Sequence, residues 1–238
     1  LTDPADAESR LATVADAFLH HDRPIVRPAD DSVVRIAASR ARPIRLGRGI
    51  APLELELPEE LPEPVLAVGG HLKLTVALAW GKRVVISPHV GDMGTRRSEL
   101  VFEQVARDLQ RLYDVRATRW LCDAHPGYTT TRWVQSLGEP FTTVLHHHAH
   151  ASAIVAEHGV SEPAIVFAWD GVGYGGDGTL WGGEAFVGRP GHWQRRASLR
   201  SFRLPGGDKA GRSPWRSAAA LCWEAGVQCP VPIPDPIV

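Results

Sequence analysis

An α/β fold is the expectation, and three features of the chain carry it. The runs Val65–Val68, Leu72–Trp80 and Arg83–Ser87 are short, apolar and tightly connected, as consecutive strands are. Beyond them, segments of helical and strand-like periodicity alternate. A second pair of strand-like runs, Ala164–Asp170 and Thr179–Val187, brackets a glycine-rich turn. With 238 residues there is room for one large domain or two smaller ones.

The elements follow in order. Asp3 before Pro4 is a helix start, since proline suits the first helical position. Leu11, Val14, Ala15, Phe18 and Leu19 recur at helical spacing, which predicts an amphipathic helix from Pro4 to about His20. Short β-type runs come next at Pro24–Val26, Ser32–Ile36 and Pro43–Leu46. The acidic, proline-rich stretch APLELELPEELPEP reads as a linker. A boundary there divides the chain into residues 1–58, a small α+β piece, and residues 59–238. After the three strands, a long helix is expected from about Arg97 to Tyr113, with Leu100, Val101, Val105, Leu109 and Leu112 on one face. Then come a strand at Arg119–Cys122, a helix near Thr129–Ser136, a strand at Thr142–Leu145 and a histidine-rich helix. Three strands followed by alternating helix and strand is the order of a ribonuclease-H-like lobe. The glycine-turned pair looks like the opening hairpin of a second one. Two such lobes facing a nucleotide make the actin and sugar-kinase (ASKHA) architecture, in which the turn after a strand-end aspartate cradles phosphates; this step is analogy of fold. No internal repeat is visible in the plain sequence.

Composition narrows the function classes. Twenty-six basic residues against 27 acidic ones leave a formal charge of −1, which argues against a nucleic-acid-coating surface. The longest apolar run, Val65–Trp80, is broken by His71 and Lys73, so a membrane span is not expected. The acidic amino-terminal LTDPADAESR does not read as a secretory signal. Cys122, Cys222 and Cys229 have no CxxC spacing and an odd count, which suits reduced thiols in the cytoplasm. The closing CPVPIPDP is expected to be an extended strap, because each proline lacks an amide donor.

The chemistry concentrates in LHHHAHASAIVAE, residues 145–157. His146 and His150 are four apart and share a helix face, the spacing with which two imidazoles hold one metal ion. Asp170 ends an apolar run and opens GVGYGGDG, an oxygen ligand followed by glycines that let the backbone approach a ligand. An exposed histidine run is the plainer reading of the HxxxH alone; Asp170 and its glycines shift the balance to a metal–phosphate site.

Eight blocks, among them GGHLKLTVALAWG, ISPHVGDM, DAHPGYTTT, LHHHAHASAIVAEHG, WDGVGYGGDGTLWGGE and GGDKAGRSPWR, occur in an order that resembles the HypF carbamoyltransferase family of [NiFe]-hydrogenase maturation. Residues 1–58 look like the tail of its YrdC-like domain, and residues 59–238 like the first part of its TsaD-like (Kae-type) domain. The resemblance implies a chemistry in which carbamoyl phosphate and ATP, as its magnesium complex, give carbamoyl-adenylate. A metal-bearing domain then passes the carbamoyl group to the carboxy-terminal cysteine of the HypE protein. It also implies that His146, His150 and Asp170 hold a divalent metal, and imidazole with carboxylate suits iron or zinc. Gly171, Gly173, Gly175 and Gly176 would contact phosphate; Lys73, Asp208 and Lys209, polar groups beside glycines, either face the nucleotide or are solvent-facing turn residues. His147 and His148 are expected to pack or hydrogen bond. Asp177 and Glu184 are either carboxylates behind the metal ligands or solvated hairpin acids. Asp123, His125 and Tyr128 sit where a strand's carboxyl end places site residues. Trp181 and Trp215 read as core anchors, and Arg48 as a residue of the YrdC-like part. Two other readings stand beside the first: an O-carbamoyltransferase for a small hydroxylated metabolite, and a noncatalytic module that docks a maturation partner. The family's acylphosphatase and zinc-finger-like modules and its downstream fourth metal ligand have no counterpart here, so the polypeptide alone is expected to bind metal weakly and turn over little.

Overall fold

The first helix is shorter than its apolar stripe suggests. In the computed structural model, which describes residues 2–207 and 209–230, α1 spans Pro4–Leu11, with the Asp3 carboxylate accepting the Asp6 amide. It buries no side chain, and Val14 and Leu19 beyond it stand exposed. A short helix with no tertiary partner for its apolar side gains too little to propagate. The next segment is a two-stranded antiparallel hairpin, β1 (Val33–Ala37) with β2 (Arg40–Arg45). The run Pro24–Val26 is irregular instead of a strand.

Part of the stretch expected as a linker is a strand. The alternating LELE forms β3 (Leu53–Glu56), which pairs antiparallel with β6 (Arg83–Ile86). Between them lie β4 (Val65–Ala67) and β5 (Ala77–Trp80). The expected single strand Leu72–Trp80 is thus confined to its second half. The reason is the left-handed backbone at Gly69 (φ 67°) and Lys73 (φ 52°), which folds residues 69–73 into a loop. Helix α2 (Arg96–Tyr113) starts at a Thr95–Ser98 capping box and stops at left-handed Asp114. Its buried face is Phe102, Ala106 and Leu109, whereas the expected Leu100 and Leu112 are exposed. The aromatic at 102 sets this rotation: Phe102 packs edge-on against Trp133 at 4.9 Å. Strand β7 (Arg119–Asp123), helix α3 (Thr129–Ser136) and strand β8 (Phe141–Val144) complete a six-stranded sheet of order β3-β6-β5-β4-β7-β8. The meander β4–β5–β6 is antiparallel, and β7 and β8 run parallel to β4, the ribonuclease-H-like order. Leu66, Val68, Val76, Leu78, Val85 and Val134 are wholly buried in its core.

Residues 1–144 form one compact unit and residues 145–238 a second. The second opens with α4 (His146–Glu157), whose inward line is His147, Ala151 and Val155. Strand β9 (Ala164–Ala168) is followed by a small antiparallel pair, β10 (Gly173–Tyr174) and β11 (Leu180–Trp181). The expected strand Thr179–Val187 is split by Gly182 and Gly183, the latter at φ 82°, so β12 (Glu184–Gly188) is separate. It pairs with β9 on one side and with β13 (Gln194–Ser198) on the other, giving the order β13-β12-β9. Ala151, Val155, Ala168, Trp181, Phe186 and Trp193 make the core. Helices α5 (Lys209–Arg212) and α6 (Trp215–Glu224) follow. Asp208 and most of the proline strap, residues 231–238, lie outside the described residues. No described helix is long and apolar enough to cross a membrane.

Candidate metal centre

Three side chains of the second unit, two from one helix and one from the loop after a strand, meet at one point. His146 and His150 stand one turn apart at the start of α4, and Asp170 follows β9 by two residues. Asp170 Oδ2 lies 2.7 Å from His146 Nε2 and 3.6 Å from His150 Nε2, and the two imidazole nitrogens are 3.2 Å apart. Three lone-pair donors this close repel unless a proton or a cation sits among them. A tetrahedral cation with ligands at about 2.1 Å has ligand–ligand edges of about 3.4 Å. The 3.2 and 3.6 Å edges bracket that value, and the 2.7 Å contact is a hydrogen bond that would open by about 0.7 Å. The donor set therefore fits a borderline divalent cation such as iron or zinc.

Electrostatics keep the carboxylate ready. Hydrogen bonds from His146 first and His150 second, with the Gly171 amide behind them, hold the Asp170 carboxyl far below the usual carboxylate range against the opposing effect of burial. It is ionised at any working pH.

His147 is a residue that sequence reasoning undervalued. Its ring is completely buried, and neither nitrogen has a hydrogen-bond partner of good geometry. The Asp170 main chain favours its protonated form without meeting that geometry, and burial outweighs it and lowers the pKa, with His146 adding to the lowering. The signal in the sequence was its i, i+4, i+8 register with Ala151 and Val155. His148 packs edge-on to Phe186 at 5.0 Å, as expected for a packing residue, and burial lowers its pKa too.

The glycines have local work. A methyl at Gly173 would come within 2.6 Å of the His147 ring, and one at Gly175 would overlap the Trp181 indole. The Gly175 amide already donates to the Thr179 carbonyl, and the Gly171 amide to the Asp170 carboxylate, so those two donors are committed. Space beside Gly171 is open, and Gly176 meets only Leu145 at 3.4 Å. Asp177 accepts from the Thr179 amide, the Thr179 hydroxyl and the Trp181 indole, which makes it the organiser of the hairpin tip. Glu184 is buried, accepts the Gly182 amide and pairs with Arg195 at 2.5 Å, and the Arg195 guanidinium lies 4.5 Å over Trp181. Trp181 is the core anchor expected; Trp215 is half-buried under the Arg216 guanidinium.

The remaining candidates fall elsewhere. Lys73, exposed and left-handed, belongs to the first unit, where the Asp92 carboxylate accepts its amide. Lys209 begins α5 and is exposed. At the carboxyl end of β7, Asp123 accepts the His125 amide, and Tyr128 is stacked between His125 (4.2 Å) and His71 (5.3 Å). Thr130 on α3 donates to the Gly69 and Gly70 carbonyls and so ties the β4–β5 loop to this turn. His71 had entered the sequence reading only as a break in an apolar run. Arg48 pairs with Asp31 on the surface of the amino-terminal part.

Known proteins resemble this chain along most of its length. Residues 60–157 match the family model "HypF Kae1-like domain", and residues 166–234 match "Carbamoyltransferase, Kae1-like Domain, second subdomain". The chain is 44% identical over 222 residues to carbamoyltransferase HypF of Synechocystis sp., and 45% identical over 229 residues to carbamoyltransferase HypF2 of Cupriavidus necator. Each alignment covers 93% of the chain, which spans only 29% and 28% of those relatives' lengths. A crystal structure of full-length HypF in a phosphate- and nucleotide-bound form superposes with a TM-score of 0.86 at 35% identity, over 94% of the chain and 35% of that protein. The HypF structure from T. kodakarensis gives 0.84 at 32% identity, over 94% of the chain and 30% of that protein. With two family models matched in succession and a shared fold across nearly its whole length, the chain belongs to the HypF carbamoyltransferase family.

Proposed function

We propose that this chain carries the metal centre of a HypF-type carbamoyltransferase, with His146, His150 and Asp170 as the cation's protein ligands. The observation that carries the reading is their convergence within 3.6 Å. Iron and zinc are the cations the donor set suits, and when bound such an ion supplies a Lewis acid for a phosphoryl or carbamoyl oxygen. Asp170, ionised throughout, neutralises part of the cation's charge, and α4 fixes the two imidazoles relative to each other before any ligand arrives. Gly171 and Gly176 border open space and are assigned to phosphate approach; Gly173 and Gly175 serve the close packing of the same loop. Lys73, Lys209 and Asp208 are assigned to the nucleotide.

The substrates in this reading are carbamoyl phosphate and ATP with magnesium, passing through carbamoyl-adenylate, and the acceptor is the carboxy-terminal cysteine of HypE. The nucleotide-bound HypF relative supports the ATP assignment. Residues 1–58 are assigned to the tail of a YrdC-like domain and residues 59–238 to the TsaD-like domain. Three cysteines outside any disulfide suit a cytoplasmic setting.

The test is calorimetric titration with zinc and, anaerobically, iron(II), of the wild type and of H150A and D170N. Loss of affinity by about a hundredfold in each variant is expected, and unchanged affinity in both refutes the ligand set. Mass spectrometry of HypE after incubation with the chain, carbamoyl phosphate and ATP then reads the acceptor. A thiocarboxamide on its last cysteine supports the thiol reading, and carbamoylation of a hydroxylated small molecule in its place refutes it.

A further inference from the structure

The last helix of the second unit ends in a way that brings two cysteines together. Gly226 at φ 68° reverses the chain, the Val227 amide donates to the Cys222 carbonyl at 2.9 Å, and the Gly226 amide to the Trp223 carbonyl at 3.1 Å. This pair of bonds is the Schellman arrangement, which fixes the turn rigidly on the helix end. Residue 229 thereby returns to α6, where Cys229 shares a cavity wall with Ala219, Ala220 and Trp223 and lies close enough to Cys222 to perturb its thiol. Both are half-buried, neither is in a disulfide, and the cavity, also lined by Val227, measures about 460 Å³. We propose that Cys222 and Cys229 are a reversible dithiol–disulfide pair, a site of oxidative modification separate from the metal centre.

The chemistry balances with a small disulfide such as oxidised glutathione as the oxidant. One cysteine thiolate attacks a glutathione sulfur, the glutathione S–S bond breaks, and a mixed disulfide forms as one glutathione thiolate leaves. The second cysteine thiolate then attacks the protein sulfur of that mixed disulfide and expels the second glutathione. Two protons and two electrons pass from the protein to one oxidised glutathione, which becomes two thiols. Burial, followed by the adjacent Cys229, raises the pKa of the Cys222 thiol, so Cys222 is the slower nucleophile and suits the second, intramolecular step. Closure links residues seven apart across a turn the helix has already ordered. Cys122, fully buried in the other unit, is the internal control.

The test equilibrates the whole chain across a series of reduced-to-oxidised glutathione ratios, traps thiols with N-ethylmaleimide and maps the peptides. The expected result is one crosslinked species joining Cys222 to Cys229, with an effective concentration on the order of millimolar or higher. C222S should instead accumulate a stable glutathione adduct on Cys229, and hydrogen exchange across residues 223–230 should slow in the oxidised wild type alone. Glutathione adducts on both cysteines of the wild type with no crosslink, or thiols that stay reduced at every ratio that oxidises Cys229 of C222S, would overturn the proposal.

Discussion

The two units contain the same three-stranded meander and treat it differently. In the first, the strands run in the order β6-β5-β4, and the free side of β4 is taken by parallel β7 and β8, with α2 and α3 packed together by Phe102, Trp133 and Trp120. In the second the order is β13-β12-β9, and among the described residues no strand pairs with the other side of β9. Successive outward positions there, Ile165, Phe167 and Trp169, are 67%, 60% and 69% exposed, whereas Leu66 on β4 is at 0%. The difference teaches where rigidity and chemistry are divided. The first unit has the large core. The second places its polar cluster at the end of its least supported strand.

Breaking the core of the first unit should have the largest effect. F102A, which empties a side chain 1% exposed between α2 and α3, should cost about 3–5 kcal/mol in urea-monitored unfolding of that unit. A loss below about 1 kcal/mol would contradict the contrast drawn. Next comes the effect of a cation. Zinc at a hundred times its dissociation constant should stabilise the second unit by about 2.7 kcal/mol and leave the first unit's hydrogen exchange unchanged. Equal protection of both would place the binding elsewhere.

Acid should act on both units in the same direction. His89 in the first is held neutral chiefly by burial and then by Arg45; His147 is held neutral chiefly by burial and then by His146. A histidine with a lowered folded pKa contributes its full stability above the unfolded value of about 6.5 and loses it as pH falls towards the folded value, because the unfolded chain takes the proton first. Each such group removes at most about 1.4 kcal/mol per pH unit. H147F should flatten the acid limb of the second unit's stability curve below about pH 6.5; an unchanged slope would show that His147 is not the group responsible. The smallest effect belongs to the exposed strand face: I165S should shift stability by about 0.5 kcal/mol or less. A loss several times that size, read by the same urea titration, would mean that this face is covered in solution.

What the sequence made legible follows from how local each signal was. Helix α3 came out with the expected bounds, Thr129–Ser136, and α2 within one residue. The convergence of His146, His150 and Asp170 was readable because helical spacing and a strand-end position each needed only a few residues. The extension of α1 past Leu11 failed because an apolar stripe predicts a helix only if something receives it. The rotation of α2 depended on Trp133, thirty-one residues after Phe102, and was invisible in the helix's own pattern. Burial of His147 shows in its register with Ala151 and Val155, but the room for its ring depends on Gly173, which lies outside the helix and its pattern.

The carboxylate of Asp177 draws three donors to one point at the hairpin tip. A loop pinned in this manner has surrendered its conformational freedom during folding, so an anion at the proposed site would find the backbone beside Asp170 already arranged and need not order it. Weakening that knot would therefore show first as a slower, entropically costlier capture of ligand, long before any change in the side chains proposed to grip a cation.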